Sequence, residues 1–185
     1  GTYCLLLSSD KVFDGTRPLR PRSDPPCPLT VYGWQKAEAE QGVLQAGGAV
    51  LRLSKVLAPD LGLLQDWRRA LLSGKPIGPF HDMWLAPVTV GMVVGLIGRL
   101  VADRQPGIFH CTGREDRPYV ALAERLAGAL GACPDLVQPI SAAAQIPLAQ
   151  RVRHSSLEML REDERYGLAN PGFDAVVGEI TDALA

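Results

Sequence analysis

The chain has 185 residues, 46% hydrophobic and 21% charged, an ordinary globular composition that suits one domain with a sizeable core. Its formal net charge of −1 removes the electrostatic reason to expect a nucleic acid or an anionic membrane as partner. Cys4, Cys27, Cys111 and Cys133 form no C-x-x-C pair and have no metal-ligand spacing to His81, His110 or His154, so reduced thiols, no metal and a cytoplasmic protein are expected.

The first element expected is a strand. Thr2-Tyr3-Cys4-Leu5-Leu6-Leu7 is almost continuously apolar, as suits a strand covered on both faces of a parallel sheet, and no signal peptide is expected. It ends at Ser8-Ser9-Asp10. Ligands of open α/β sheets bind beyond the carboxyl ends of the strands, so a hydroxyl at Ser9 is placed to hydrogen-bond a substrate carbonyl. Lys11-Val12-Phe13-Asp14-Gly15 follows, then a loop in which Pro18, Pro21, Pro25, Pro26 and Pro28 exclude regular helix and inner strand.

Thr30 is the expected N-cap of a helix that runs from Val31 to Leu44 and stops at Gly47-Gly48. Tyr32 and Lys36 stand one turn apart on one face of it. A lysine ammonium favours the ionised form of a neighbouring phenol, and a phenol so tuned can hand a proton to a carbonyl oxygen as hydride arrives at the carbon. The same spacing also fits an amphipathic helix with a half-buried tyrosine and a solvated lysine.

Ser-Ser-Asp-Lys-Val-Phe-Asp-Gly, a proline-bearing loop, then Tyr-Gly-Trp-Gln-Lys-Ala-Glu-Ala-Glu resembles the extended short-chain dehydrogenase/reductase superfamily. Within it the chain is most similar to the dTDP-4-dehydrorhamnose reductase family, whose pattern is Ser-Thr-Asp-Tyr-Val-Phe-Asp-Gly followed by Tyr-Gly-x-x-Lys-x-x-x-Glu. The resemblance implies an α/β fold: part of a Rossmann-like parallel sheet with its helices, plus a small α/β substrate-binding lobe. It implies NADPH or NADH as cofactor and a nucleotide sugar as substrate. Ser9 takes the place of the catalytic Ser/Thr, Tyr32 that of the proton donor, and Lys36 that of the lysine holding the nicotinamide ribose. Tyr32 and Lys36 are thereby cofactor-binding as well, and Asp10, Val12 and Phe13 of the first motif fall to the substrate. Lys11 replaces the family's usual aromatic residue.

No glycine-rich dinucleotide turn, with an acidic residue about 20 positions on, follows a first strand. By the family pattern the chain therefore resembles the C-terminal part of a larger reductase, without its cofactor-binding N-terminal part. Gly91, Gly95 and Gly98 mimic the fingerprint but lie inside an apolar helical pattern behind a Thr89 cap, and read as close helix-packing positions. On this reading residues 1–60 end a Rossmann-like domain and residues 61–185 are mainly substrate lobe, the two interleaved.

Ala49 to Ser54 is the next buried strand and matches the family's Leu-Arg-Thr-Ser strand; Arg52 in it is either a structural ion pair or a ligand contact. A helix over Leu63–Leu72 turns Trp67, Leu71 and Leu72 toward the core. Pro79 to Val88 resembles the family's cleft-lining Asp-Gln-x-Gly-x-Pro-Thr segment, with Asp82 and Pro87 matching. Trp84 within it stacks on a nucleotide base or fills the core. The charge-free run from Met83 to Gly98 is too short for a membrane span.

A helix over Val90–Ala102, a strand and turn over Gly107–Gly113 with a structural His110, and a helix over Arg117–Leu130 come next. Val137–Ile140 reads as a short edge strand. The segment from Ala149 to Leu157 resembles the family's Ala-x-Arg-Pro-x-Asn-Ser-x-Leu, in which Arg151 and Arg153 either meet substrate phosphates or stand solvated before the helices starting at Leu157 and Phe173. The expected activity is NAD(P)H-dependent reduction of a keto group on a nucleotide-linked sugar. The alternative is a non-catalytic sugar-nucleotide-binding or regulatory subunit of the same fold, and the open edge of the first strand invites a partner chain or a second copy.

Overall fold

Three apolar runs pair as a parallel sheet in the computed structural model, which describes residues 2–151 and 153–184, the side chains at 161, 163 and 164 excepted. The chain begins with β1 (Leu5–Ser9), α1 (Val31–Gln45), β2 (Ala49–Leu53), β3 (Val56–Leu57) and α2 (Gly62–Leu72). It continues through β4 (Trp84–Leu85), β5 (Val88–Thr89), α3 (Val90–Asp103) and β6 (Gly107–Cys111). β7 (Arg117–Pro118), α4 (Tyr119–Ala129), α5 (Leu160–Tyr166) and α6 (Phe173–Asp182) complete it. The main sheet has the order β1-β2-β6; β3 pairs with β5 in parallel and β4 with β7 antiparallel. Ser9 lies opposite Leu53, and Leu53 opposite Cys111, so the carboxyl ends of the main strands come out together on one side.

Leu51 and Phe109 of the sheet pack with Leu96 and Leu100 of α3 in one core. Leu64 and Trp67 of α2, Leu122 and Leu126 of α4, and Phe173 and Val177 of α6 form a second. Each fully buried leucine is of the kind whose truncation to alanine costs about 2–5 kcal/mol. Among the described residues no helix is long and apolar enough to cross a membrane.

Several elements depart from the sequence expectation. The first strand starts at Leu5 and extends to Ser9, and Leu7, expected to be covered, is 42% exposed; its place at the sheet edge is the one expected. Leu72 is exposed: the buried stripe of α2 is Leu64, Trp67 and Leu71, and the next residue is rotated about 100° away from it. A Cβ added to Gly95 or Gly98 meets no atom within 4 Å, so these glycines face open space and not a packed neighbour. The run from Val137 to Ile140 makes two isolated bridges, to Ile77 and Phe80, in place of a strand.

The most informative departure is α1. Its buried face consists of Gly33, Ala37 and Glu40, while Val31 and Trp34 are exposed. The helix docks through close approach and a buried charge, and not through an apolar stripe.

Candidate functional site

Two backbone devices bring the first strand and α1 together. At the end of β1, Ser9 caps a single tight turn over Asp10–Val12: the Lys11 N–H donates to Ser9 Oγ at 3.2 Å, and Ser9 Oγ–H donates to Asp10 Oδ1 at 2.9 Å. At the start of α1, the Gly33 N–H donates to Thr30 Oγ1 at 3.1 Å, which is the expected cap. Gly33 then lies directly on the Ser9 turn. A methyl group there would collide with the Lys11 carbonyl oxygen and come within 2.8 Å of Pro28 Cβ. Only glycine allows this contact, and it sets Tyr32 beside Ser9.

Ser9 and Tyr32 line one cleft of about 800 Å³ at the carboxyl ends of β1 and β2. Trp84, Tyr119 and Ser155 contribute to its walls. Tyr32 is half exposed. Lys36 stands one turn further along α1, its Nζ donating to the Leu7 carbonyl at 2.9 Å and lying 5.8 Å from the centroid of the Tyr32 ring. The lysine thus holds on to an outward carbonyl of the edge strand and stands behind the phenol, outside the cleft lining.

The cleft also contains titratable groups in an unusual state. Burial raises the carboxyl pKa of Asp10, against the opposing pull of Lys11 and the Ser9 hydroxyl. Burial lowers the ammonium pKa of Lys55, and Lys11 lowers it further, with Asp10 opposing. Tyr119 is raised by burial and then by Asp10.

Under the cleft lies a charge pair of a different kind. Arg52, 1% exposed, donates from Nε to Glu40 Oε1 at 3.0 Å and from Nη2 to Glu40 Oε2 at 2.7 Å. Ser8 Oγ donates to the same carboxylate at 2.5 Å, and the Phe13 ring stacks on the guanidinium at 4.9 Å. The pair ties β1, α1 and β2 together.

The structure therefore separates the sequence candidates. Ser9, Asp10, Tyr32 and Trp84 line the cleft. Arg52 does not: it is taken up by Glu40 in the interior, which is the ion-pair reading. Val12 and Phe13 are corrected as well, because both are buried in a small core with Ala37 and Leu157 and support the Ser9 turn from below. Asp82 is taken up by Ser141 Oγ–H at 2.5 Å and the Ala142 N–H at 2.7 Å, which hold its carboxyl below the usual range. Arg151 and Arg153 stand outside the cleft lining, to which the same segment contributes Ala149 and Gln150.

His110 is structural, as expected: it is fully buried, its Nδ1 is 2.7 Å from the Glu158 carbonyl, and burial first of all lowers its pKa to about 3. Cys111 is an inert thiol that burial, then Glu162, pushes up to about 12. Among the described residues no group of His, Cys, Asp and Glu is arranged to hold a metal.

Two residues had no place in the sequence reading. Lys55 lines the cleft, and its signal was positional: it follows Leu53 by two residues, as Lys11 follows Ser9, and those two strand-end residues are register partners. Asp116 accepts from the N–H groups of Ser155 and Ser156 at 2.7 and 3.1 Å and from Ser156 Oγ–H at 2.7 Å, which fixes the turn that brings Ser155 to the cleft.

Comparison with known proteins shows the family and the fold. The family model described as RmlD substrate binding domain matches residues 1–185. The chain is 30% identical over 174 residues to methionine adenosyltransferase 2 subunit beta from Bos taurus, covering 87% of this chain and 52% of that protein. It is 29% identical over 174 residues to dTDP-4-dehydrorhamnose reductase from Streptomyces griseus, covering 87% of this chain and 56% of that one. The fold matches the crystal structure of dTDP-4-dehydrorhamnose reductase from Bacillus anthracis in complex with NADP, with a TM-score of 0.86 and 19% identity over 98% of this chain and 66% of that chain. The chain spans about half the length of the curated relatives it matches.

Proposed function

The chain belongs to the RmlD substrate binding domain family, and from that premise we infer that it supplies the substrate site and the proton donor of an NAD(P)H-dependent reductase acting on a keto group of a nucleotide-linked sugar. The observation that carries this reading is the convergence of Ser9 and Tyr32 on one cleft, with Lys36 one helical turn behind the phenol.

The donor set suits the nicotinamide end of such a cofactor: a phenol and a hydroxyl line the cleft at the carboxyl end of a parallel strand, and the Lys36 ammonium, which donates to the Leu7 carbonyl, reaches the ribose by turning from that carbonyl. When bound, NAD(P)H supplies the hydride. The chain's own residues then have separable tasks. Tyr32 O–H donates to the carbonyl oxygen and delivers the proton as charge develops on it. Ser9 orients the same oxygen, which requires its hydroxyl to turn away from Asp10 Oδ1, where it donates here. Lys36 holds the ribose. Trp84 offers an apolar wall to the nucleotide base. Residues 1–60 carry the catalytic groups as the end of the cofactor domain, and residues 61–185 mainly shape the substrate lobe. The outer edge of β1 is the natural place for further strands, from another part of the protein or from a partner.

The methionine adenosyltransferase relatives favour a second reading, in which the chain serves as a subunit of another enzyme and binds its ligand without turning it over. Assaying the full-length protein for NADPH oxidation in the presence of dTDP-4-dehydrorhamnose separates the two. Oxidation that requires the sugar supports the reductase. Tight binding of the sugar with no oxidation by the wild type supports the subunit reading and contradicts the first.

A further inference from the structure

The floor of the cleft is charged in a way that the reduction of a neutral sugar does not use. Lys11 and Lys55 both line it beside Ser9. Strand register explains why they meet: Ser9 and Leu53 are partners on adjacent parallel strands, and each lysine follows its partner by two residues. Among the described residues Lys55 Nζ has no recorded hydrogen bond or ion pair, and Lys11 Nζ reaches only Asp10 Oδ2, at 3.7 Å. The other titratable groups of the floor are Asp10 and Tyr119. Asp10 is one carboxyl against two ammonium groups, it already accepts from Ser9, and its only ion pair among the described residues is the 3.7 Å one to Lys11.

Two neighbouring ammonium groups in a partly desolvated cleft repel each other, and the lowered pKa of Lys55 records that repulsion together with its burial. The arrangement is unfavourable in the empty cleft and becomes favourable when an oxyanion enters between the two charges. The sequence points the same way. Lys11 stands where the family pattern it resembles has a tyrosine, so this position of the motif carries a positive charge here.

We propose that Lys11 and Lys55 together bind an oxyanion, a carboxylate or a phosphate, on the part of the ligand that lies against Ser9. The proposal rests on the cleft being a nucleotide-sugar site and narrows its substrate class to sugars that carry an acidic group near the reacting carbon. The second source of an oxyanion is the diphosphate of the nucleotide itself, reached by a ligand lying the other way along the cleft.

Titration calorimetry on the full-length protein distinguishes these cases. The probes are dTDP-glucose, dTDP-glucuronic acid and dTDP, with their UDP counterparts in parallel, against wild type and the Lys11→Met/Lys55→Met double variant. The expected result is at least tenfold tighter binding of the glucuronic acid ligand than of its neutral counterpart in the wild type. The double variant should lose that preference while binding the neutral sugar nucleotide within about twofold of wild type, which also shows that it is folded. A double variant that instead weakens dTDP as much as both sugar nucleotides assigns the oxyanion to the diphosphate. Equal affinity for acidic and neutral ligands, unchanged in the double variant, overturns the proposal and leaves the nucleotide-sugar reading standing. Failure of every nucleotide sugar to bind the wild type overturns both.

Discussion

Arg52 and Lys55 are three positions apart at the end of one strand, and the chain treats their charges in opposite ways. Arg52 is withdrawn from water and paired through Nε and Nη2 with a carboxylate that Ser8 also holds, with the Phe13 ring against the guanidinium. Lys55 is left partly desolvated in a cleft with another lysine and no partner of its own. A buried charge with its counter-charge and hydrogen bonds belongs to the architecture; a charge held without them belongs to whatever enters the cleft. The contrast also sorts the carboxylates. Glu40 and Asp82 are taken up by donors of the fold, whereas Asp10 faces the cleft.

The largest effect expected from breaking this contrast is at Arg52. Arg52→Leu leaves the buried Glu40 carboxyl without its partner and should destabilise the fold by about 3–5 kcal/mol, read from denaturant unfolding. Arg52→Leu/Glu40→Leu should recover most of that loss, since neither charge is then stranded. A single variant within about 1 kcal/mol of wild type means that Arg52 is not a structural residue.

His110 sharpens the interior side of the comparison through pH. Its folded pKa of about 3 lies below the ordinary value of 6.5 because burial disfavours the charged ring. Between those values the unfolded chain takes up a proton that the folded chain refuses. Its contribution is therefore fully present above pH 6.5 and falls on acidification toward pH 3, with a slope of about 1.4 kcal/mol per pH unit. Urea unfolding at a series of pH values should show that slope over and above the carboxylate contributions, and His110→Gln should remove it. An unchanged pH profile in the variant contradicts a histidine held neutral.

The smallest effect belongs to the cleft. Lys55→Met removes a charge that burial and Lys11 both disfavour, so stability should change by no more than about 0.5 kcal/mol, or rise. A loss comparable to that of Arg52→Leu shows that Lys55 has a structural partner after all.

Much of the fold was legible because it is written locally. The apolar runs at β1 and β2, the Thr30 and Thr89 caps, and the spacing of Trp67 and Leu71 act within a few residues of chain. The ordered motif that runs to Glu40 put Ser9 and Tyr32 within reach of one idea, though their meeting depends on Gly33 lying against the Lys11 carbonyl. What was not legible depends on partners from other elements. The choice between the two readings of Arg52 is made by Glu40, on a helix in front of the strand. Val12 and Phe13 looked like cleft residues by motif and are buried beneath it, because the Ser9 turn directs them inward. Asp116 gave no local signal, since its work is done on Ser155 and Ser156, about 40 residues further along the chain. Lys55 became visible only through strand register.

The central claim is that Tyr32 gives its proton to a bound carbonyl, and steady-state kinetics of Tyr32→Phe in the full-length protein test it most directly. The phenyl ring keeps the shape of the cleft wall and removes only the hydroxyl. With a 4-keto nucleotide sugar and NADPH, kcat should fall by roughly 10²–10⁴ while KM changes little, the signature of an interaction made in the transition state. Turnover within a few-fold of wild type would contradict the account.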